Sequence, residues 1–184
     1  MRSDQESIAR SLAGDRSAFD VIVARYQDAL FRHLLALGGN PELAEDLCQE
    51  AFIRLYRALP RFDQRLPVAP FLFRIATNLW RNGRRRALTN VTTDAVDTPL
   101  QTPEVPVAEQ ALQQLEREEI LKAIAQLRWE YRAAMSLRYD QGLSYGEIAE
   151  VLRVPVGTVA AWLHRAVDEI RAALEGDRCE EVTP

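Results

Sequence analysis

Apolar residues recur every three or four positions along most of the 184-residue chain, which is the period of an α-helix with one buried face. The clearest stretch runs from about residue 17 to 37, and its apolar positions are Phe19, Ile22, Val23, Tyr26, Leu30 and Leu34. No run of alternating, β-branched residues indicates a strand. The pattern therefore predicts an all-α protein.

Turn and capping signals divide the first half of the chain into four helices. Glycines at Gly14 and Gly38 end the first two of them. The tripeptide Asn40-Pro41-Glu42 has the form of an N-cap, a first-turn proline and a first-turn acid, and it starts the third. The predicted helices lie around Ile8 and Leu12, and at about Ser17–Leu37, Asn40–Leu59 and Ala69–Arg86.

Residues 89–107 interrupt the helical pattern. They carry three prolines and five threonines with little periodicity, so they predict a flexible linker between two small domains. The domains are expected at residues 1–88 and 108–176, and a polar tail at 177–184. The helices predicted for the second domain lie at about Ala108–Ala125, Trp129–Gln141, Ser144–Leu152 and Pro155–Leu174.

Charge is distributed unevenly, although the whole chain carries −4. Residues 1–88 carry +4, residues 89–108 carry −3 and residues 109–184 carry −5. No acid lies between Asp63 and Asp94, whereas this stretch holds Arg65, Arg74, Arg81, Arg84, Arg85 and Arg86. A concentrated positive surface of this kind suits a nucleic-acid backbone, and the alternative is a solvated helix end, where cations are also favoured.

Several function classes lack their sequence signals. No Gly-rich phosphate loop, nucleophile–base pair or metal-ligand spacing is present, so we expect no enzyme, no cofactor and no metal. Cys48 and Cys179 stand far apart and outside any cluster, and Cys48 is explained as a small buried hydrophobe rather than a redox group. Without an apolar span or signal segment, the chain is expected in the cytoplasm.

The second domain holds the pattern of a helix-turn-helix. Ser144 and Glu147 form a capping box at the start of a short helix, and the segment 153–157 breaks it. A second helix follows at once, with apolar residues on one face at Val159, Leu163, Ala166, Ile170 and Leu174. Such a pair normally places its second helix in the major groove of DNA, and the alternative is a plain helical hairpin in a core.

The run LRYDQGLSYGEIAEVLRVPVGTVAAWLHRAVDEIR, residues 137–171, resembles region four of the extracytoplasmic-function sigma factors of bacterial RNA polymerase. The resemblance implies that it reads the minus-thirty-five promoter box, with the candidates Thr158, Ala160, Ala161, Trp162, His164 and Arg165. Where the family usually has a basic residue, then Ser and Arg, this chain has Ala160-Ala161-Trp162, which predicts weaker phosphate binding. Trp162 either lies on DNA or packs against a neighbouring helix.

A second resemblance lies in the predicted helix after Asn40. The segment PELAEDLCQEAF, residues 41–52, is similar to the A-E-D-L-x-Q-E-x-F signature of sigma region two. The resemblance implies that the helix docks on the clamp coiled coil of the largest polymerase subunit, through Asp46, Gln49, Glu50 and Arg57. Judged on residue pattern alone, the same polar face is an ordinary solvated one.

A third resemblance follows downstream. FLFRIATNL, residues 71–79, is similar to the family's W-L-x-R-I-A-x-N sequence, with Phe71 in place of the commoner Trp. The resemblance implies that this helix and the loop before it read the minus-ten element and hold an extruded base. Arginines, an amide and aromatic rings suit unpaired bases, although Phe71 and Phe73 are expected in the core. The candidates are Arg65, Arg74, Asn78, Trp80, Arg81, Arg84 and Arg85.

Together the resemblances imply an alternative sigma factor that directs promoter-specific transcription initiation, in a stress or envelope response. The implied partners are core RNA polymerase, through its largest-subunit clamp and its flap, promoter DNA and an anti-sigma factor. The acidic linker either runs toward the polymerase active-site channel or is a plain tether. Two rivals remain: a helix-turn-helix regulator that does not join polymerase, and a sigma-like module whose role is protein interaction.

Overall fold

The structure is a computed structural model, and it describes residues 3–38, 40–89 and 118–180. All regular structure in these ranges is helical, which confirms the all-α prediction. The first half contains α1 (Asp4–Leu12), α2 (Arg16–Ala36), α3 (Pro41–Ala58), a 3-10 turn (Leu59–Arg61) and α4 (Val68–Thr89). The second half contains α5 (118–126), α6 (Trp129–Met135), a π-helical turn (Ser136–Asp140), α7 (Tyr145–Leu152) and α8 (Val156–Glu180).

The predicted helix starts are present with their side-chain caps. The Asn40 side chain accepts a hydrogen bond from the Leu43 N–H at 2.7 Å, with Pro41 in the first turn of α3. At α7 the capping box is complete: the Glu147 N–H donates to Ser144 Oγ at 3.3 Å, and the Ser144 N–H donates to Glu147 Oε2 at 2.8 Å. Both bonds satisfy donors that a helix start otherwise leaves without a partner.

Some predicted segment boundaries differ from the structure, and others fall outside the described residues. The predicted helix Trp129–Gln141 is α-helical only to Met135 and continues as a π-helical turn, in which the Gln141 N–H donates to the Ser136 carbonyl five residues earlier. Helix α8 runs on to Glu180, past the predicted end at Leu174 and into the predicted tail. Residues 175–180 contain no proline to stop the helix, and the single Gly176 costs only about 1 kcal/mol. The linker prediction lies outside the described residues except for residue 89, as does the first part of the helix predicted at 108–125.

The core of the first half lies between α2, α3 and α4, with α1 packed across α2. Its fully buried side chains include Ile8, Ile22, Leu30, Leu34, Leu55, Leu72 and Phe73. Asp4 at the start of α1 accepts hydrogen bonds from Arg25 and Tyr26 of α2. The four helices pack together and leave the outer face of α3 in solvent.

The same core continues into the second half of the chain. Ala133, Ala134 and Leu137 belong to one contiguous buried cluster with the residues of α2 and α4. Helix α7 packs on α4, while α2 contacts α6 and the π-helical turn. The two halves are therefore packed directly against each other. Among the described helices, none is long and apolar enough to cross a membrane.

Candidate functional site

The outer face of α3 carries the residues predicted to dock on polymerase. Asp46, Gln49 and Arg57 are exposed, and Glu50 accepts a hydrogen bond from Arg54 Nε at 2.6 Å. Ile53 lies on the same face with 44% of its surface exposed. The structure thus brings these side chains together around one exposed apolar residue.

Two apolar residues of α3 lie outside its buried stripe. Leu43 and Tyr56 are each 44% exposed, because the stripe that meets the other helices is narrow. That stripe consists of Ala44, Cys48, Ala51, Phe52 and Leu55. Leu43 and Tyr56 flank it, and the Tyr56 ring stands edge-on to Phe19 at 5.0 Å.

Cys48 faces away from the docking surface. Its side chain is buried in the core, as the sequence predicted. Burial, with a smaller contribution from Glu45, raises the pKa of the Cys48 thiol to about 11. The thiol therefore stays protonated near neutral pH, which disfavours the reactive thiolate.

Arg65, in the loop before α4, is exposed and paired with Asp63. The guanidinium donates to both carboxylate oxygens, with Nη2 2.8 Å from Oδ2 and Nε 3.0 Å from Oδ1. Hydrogen bonds from the Arg65 side chain lower the pKa of Asp63 to about 2. The pair is thus ionised at neutral pH, and the acid partly offsets the positive charge of Arg65.

The first turns of α4 place Arg74 and Asn78 at half-buried positions, while Phe73 is buried in the core. The Phe71 ring packs against Phe62 at 5.0 Å, and the Arg74 guanidinium lies 5.0 Å from the centre of the Phe71 ring. Phe73 and Phe71 therefore pack within the protein, as expected from the sequence.

Trp80 and Arg81, two of the residues predicted for the minus-ten element, face the second half of the chain. Trp80 is only 6% exposed, and its ring centre lies 5.1 Å from that of Trp129. Arg81 Nη2 donates to the Leu152 carbonyl at 3.1 Å. Arg84 and Arg85 lie on exposed surface further along α4, with the Arg84 guanidinium 5.4 Å from the Trp80 ring.

Helix α8 presents part of its predicted DNA-reading set to solvent. Ala161, His164 and Arg165 are exposed, whereas Thr158 and Ala160 are half-buried near its start. Trp162 is also half-buried, and it packs against the cluster of Leu127, Tyr131 and Ala166. The Trp162 ring thus packs within the protein, which is one of the two alternatives drawn from the sequence. The DNA-binding roles of these six residues remain predictions.

Sequence reasoning missed the residues that join the two halves. His33 is fully buried, with ring nitrogens 3.2 Å from Ser136 Oγ and 3.0 Å from Thr77 Oγ1. One signal in the sequence indicates that His33 is buried: it lies on the apolar face of its helix, between Leu30 and Leu37. No local signal marks Ser136, because its partner lies 103 residues away.

The described ranges contain no group of three or more His, Cys, Asp or Glu side chains that could hold a metal ion. The side chains that the site presents offer hydrogen bonds, charge and apolar contact. These are the means by which proteins bind other proteins and nucleic acids.

Comparison with known proteins decides between the remaining readings. Residues 22–88 match the family model of sigma-70 region 2, and residues 117–170 match that of sigma-70 region 4. The chain is 36% identical over 182 residues to the RNA polymerase sigma-H factor of Pseudomonas aeruginosa, covering 94% of each protein. The chain belongs to the sigma factors of bacterial RNA polymerase.

Two further comparisons refine this assignment. The chain is 34% identical over 174 residues to the ECF RNA polymerase sigma factor SigW of Bacillus subtilis, covering 88% of this chain and 91% of that protein. It is also similar to the solved structure of CnrH in complex with the cytosolic domain of CnrY, with a TM-score of 0.69 and 26% identity over 95% and 98% of the two chains. This sigma factor therefore falls in the extracytoplasmic-function group, whose members are transcription initiation factors and not enzymes.

Proposed function

We propose that this alternative sigma factor docks on core RNA polymerase through the outer face of α3. The observation that carries the proposal is the grouping of exposed Asp46, Gln49 and Arg57 around Ile53, which is 44% exposed. A small apolar centre with a polar rim is the usual composition of a protein-binding surface. The implied partner is the clamp of the largest polymerase subunit.

Helix α4 and the loop before it are assigned to the minus-ten element. The exposed cations Arg84 and Arg85 and the half-buried Arg74 lie along this helix, and each can neutralise a phosphate. Asn78 offers an amide to a base edge. Trp80 and Arg81, which face the second half of the chain, complete the proposed set.

Helix α8 is assigned to the minus-thirty-five box. His164 and Arg165 supply polar contacts, while the exposed Ala161 offers a methyl group to a thymine methyl. The half-buried position of Trp162 leaves less side chain for DNA. We therefore propose that this element binds its box more weakly than the usual basic sequence does.

The domain limits proposed for these activities are residues 1–88, 89–107 and 108–176, with the linker joining the two DNA-binding parts. The protein is proposed to work in the cytoplasm under the control of an anti-sigma factor. The solved relative CnrH, bound to the cytosolic domain of a second protein, supports a regulatory partner of this kind.

Charge reversal and polar substitution on α3 test the docking surface. Ile53→Asp places a charge at the apolar centre of the proposed interface, and Asp46→Lys reverses a charge beside it, so each is expected to weaken binding to purified core polymerase by about tenfold or more. Binding is measured by fluorescence anisotropy of the labelled sigma factor. Asp28→Lys, which makes the same charge change at an exposed site of α2, is the matched control. Equal affinities for all variants would refute this docking face.

A further inference from the structure

The aromatic rings near the proposed minus-ten site are engaged in packing within the protein. Phe62 and Phe71 pack together, with their ring centres 5.0 Å apart. Phe73 is 1% exposed and Trp80 is 6% exposed, and these four are the aromatic residues of the segment 61–89. An unpaired base stacks on a flat surface. Another planar group therefore has to supply that surface if the loop before α4 holds such a base.

The guanidinium of Arg65 is a planar group that this loop leaves open. The Arg65 side chain is 90% exposed. Its hydrogen bonds to Asp63 run through Nε and Nη2 in the plane of the guanidinium, so they leave both faces of the group uncovered. Guanidinium planes are surfaces on which splayed bases stack. The loop therefore presents a flat surface that suits an unpaired base.

We propose that the Arg65 guanidinium, held in place by Asp63, is the platform on which an unpaired base of the promoter stacks. Arg65 then contacts the DNA through a base and not through a phosphate, and Asp63 is the positioning residue of the pair. The inference rests on the proposed minus-ten role of this loop, and it names the contact that the loop makes.

Asp63 fixes both the backbone and the side chain of this platform. The Arg65 N–H donates to Asp63 Oδ1 at 3.0 Å, and the Leu66 N–H donates to the Asp63 carbonyl at 3.0 Å. The guanidinium donates in addition to both carboxylate oxygens. A group that is ordered before binding loses less conformational entropy when a base arrives. The acid therefore prepares Arg65 for stacking.

The charge of the pair also argues against a phosphate contact. Asp63 is ionised at neutral pH, because hydrogen bonds from Arg65 lower its pKa to about 2. Its negative charge offsets that of the guanidinium and repels a phosphate. Arg84, in contrast, is exposed on α4, within the stretch that has no acid between Asp63 and Asp94. Phosphates are thus expected at α4 and the base at Arg65.

Two oligonucleotides separate a base contact from a phosphate contact. Oligothymidine carries bases and phosphates, whereas an abasic oligomer of the same length carries the phosphates without bases. Arg65→Ala is expected to weaken the binding of labelled oligothymidine to the full chain by about tenfold, which is the usual scale of one stacking contact. The substitution should leave the affinity for the labelled abasic oligomer unchanged. Fluorescence anisotropy measures both affinities.

Arg65→Lys and Arg84→Ala are the matched comparisons. Lysine keeps the positive charge but has no plane, so Arg65→Lys should lose as much affinity for oligothymidine as Arg65→Ala does. Arg84→Ala removes a proposed phosphate contact and should weaken the binding of both oligomers by similar factors. Circular dichroism verifies that each variant is folded.

Asp63→Asn tests the positioning role of the acid. Asparagine keeps an oxygen for the Arg65 N–H but loses the charge that holds the guanidinium. The released guanidinium can bind a phosphate, so the affinity for the abasic oligomer should rise and the preference for oligothymidine should fall. The slope of the logarithm of the association constant against the logarithm of salt concentration should steepen by about 0.7. A loss of stability alone would not steepen that slope.

The inference is overturned if Arg65→Ala weakens the binding of both oligomers equally, or if Arg65→Lys binds oligothymidine as tightly as the unsubstituted chain does. It also fails if the unsubstituted chain does not prefer oligothymidine to the abasic oligomer, or if Asp63→Asn leaves the salt slope unchanged. Run-off transcription with core polymerase judges the sigma role separately, since loss of transcripts would refute that role and leave the oligonucleotide comparison standing. Selective loss of oligothymidine binding by both Arg65 variants supports the platform.

Discussion

At the scale of single residues, His33 shows how a polar side chain is accommodated in a helical core. Its ring contacts two hydroxyls and stands edge-on to Phe73 at 5.2 Å. Burial lowers its pKa from the ordinary value of 6.5 to about 3. The neutral ring is therefore the form that the folded protein holds, and protonation works against folding.

The lowered pKa of His33 determines how the free energy of unfolding changes with pH. Between pH 6.5 and pH 3 the unfolded chain binds a proton at His33 that the folded chain does not. The free energy of unfolding should therefore fall as the pH is lowered through this window, with a slope from His33 of at most about 1.4 kcal/mol per pH unit. Urea unfolding at a series of pH values measures it.

His33→Gln provides the comparison for the pH series. Glutamine does not titrate, so the stability of the variant should depend less on pH. Glutamine keeps hydrogen-bonding groups but loses the ring that stands edge-on to Phe73, so the variant should also be less stable at pH 7. Parallel curves for the two proteins would show that His33 does not titrate with folding.

A substitution of Trp162 distinguishes a packing role of its ring from a role in DNA binding. Because the ring packs on Leu127 and Tyr131, Trp162→Ala is expected to reduce the free energy of unfolding by about 2–3 kcal/mol. His164→Ala, at an exposed site of the same helix, should change stability little. Thermal unfolding of both variants measures the difference. A stable Trp162→Ala protein with weakened promoter binding would assign the ring to DNA instead.

At the scale of helices, the caps explain why the sequence located the helix starts. Ser144 and Glu147 satisfy each other's backbone N–H groups. Arg153 ends α7 in the left-handed conformation, with φ of 58°. Such signals are local, because the residues that form them are three or four positions apart. The helix-turn-helix was therefore predictable from the sequence.

Ser144→Ala tests the contribution of the capping box. The substitution removes the acceptor for the Glu147 N–H, and it is expected to destabilise the protein by about 1 kcal/mol. Glu150→Ala, at an exposed position of the same helix, is the matched control. Chemical unfolding of the two variants gives the comparison, and equal stabilities would mean that the cap contributes nothing measurable.

Other features of the helices cannot be predicted from residues that are close together in the sequence. The π-helical turn at 136–140 has the composition of an ordinary helix, and it is Ser136 in this turn that meets His33. The burial of Trp80 does not follow from the sequence near it, because its neighbour Trp129 lies on a distant helix. Contacts between the halves depend on how the elements pack, which no short sequence pattern specifies.

At the scale of the whole molecule, the negative net charge hides a basic helix that is suited to binding DNA. The chain carries −4, yet α4 carries five arginines and no acid. Arg81 donates to the Leu152 carbonyl, and the other four arginines of α4 are the candidate phosphate contacts: Arg74, Arg84, Arg85 and Arg86. The molecule is thus acidic overall with one basic helix.

Salt dependence measures how many of these charges meet phosphates. If four arginines neutralise phosphates, the logarithm of the oligothymidine association constant should fall with the logarithm of salt concentration at a slope of about −3. Arg84→Ala should make the slope shallower by about 0.7. Arg16→Ala, on α2, should leave it unchanged. A slope near zero for the unsubstituted protein would exclude the basic helix as the binding surface.

The central claim is that this chain gives core RNA polymerase its promoter specificity. The direct measurement is run-off transcription from a randomised promoter library, with purified core polymerase in the presence and absence of the chain, followed by sequencing of the transcribed templates. The account predicts that templates sharing one minus-ten sequence are enriched only when the chain is present, with a weaker preference at the minus-thirty-five box. Transcripts that are equally random with and without the chain would contradict it.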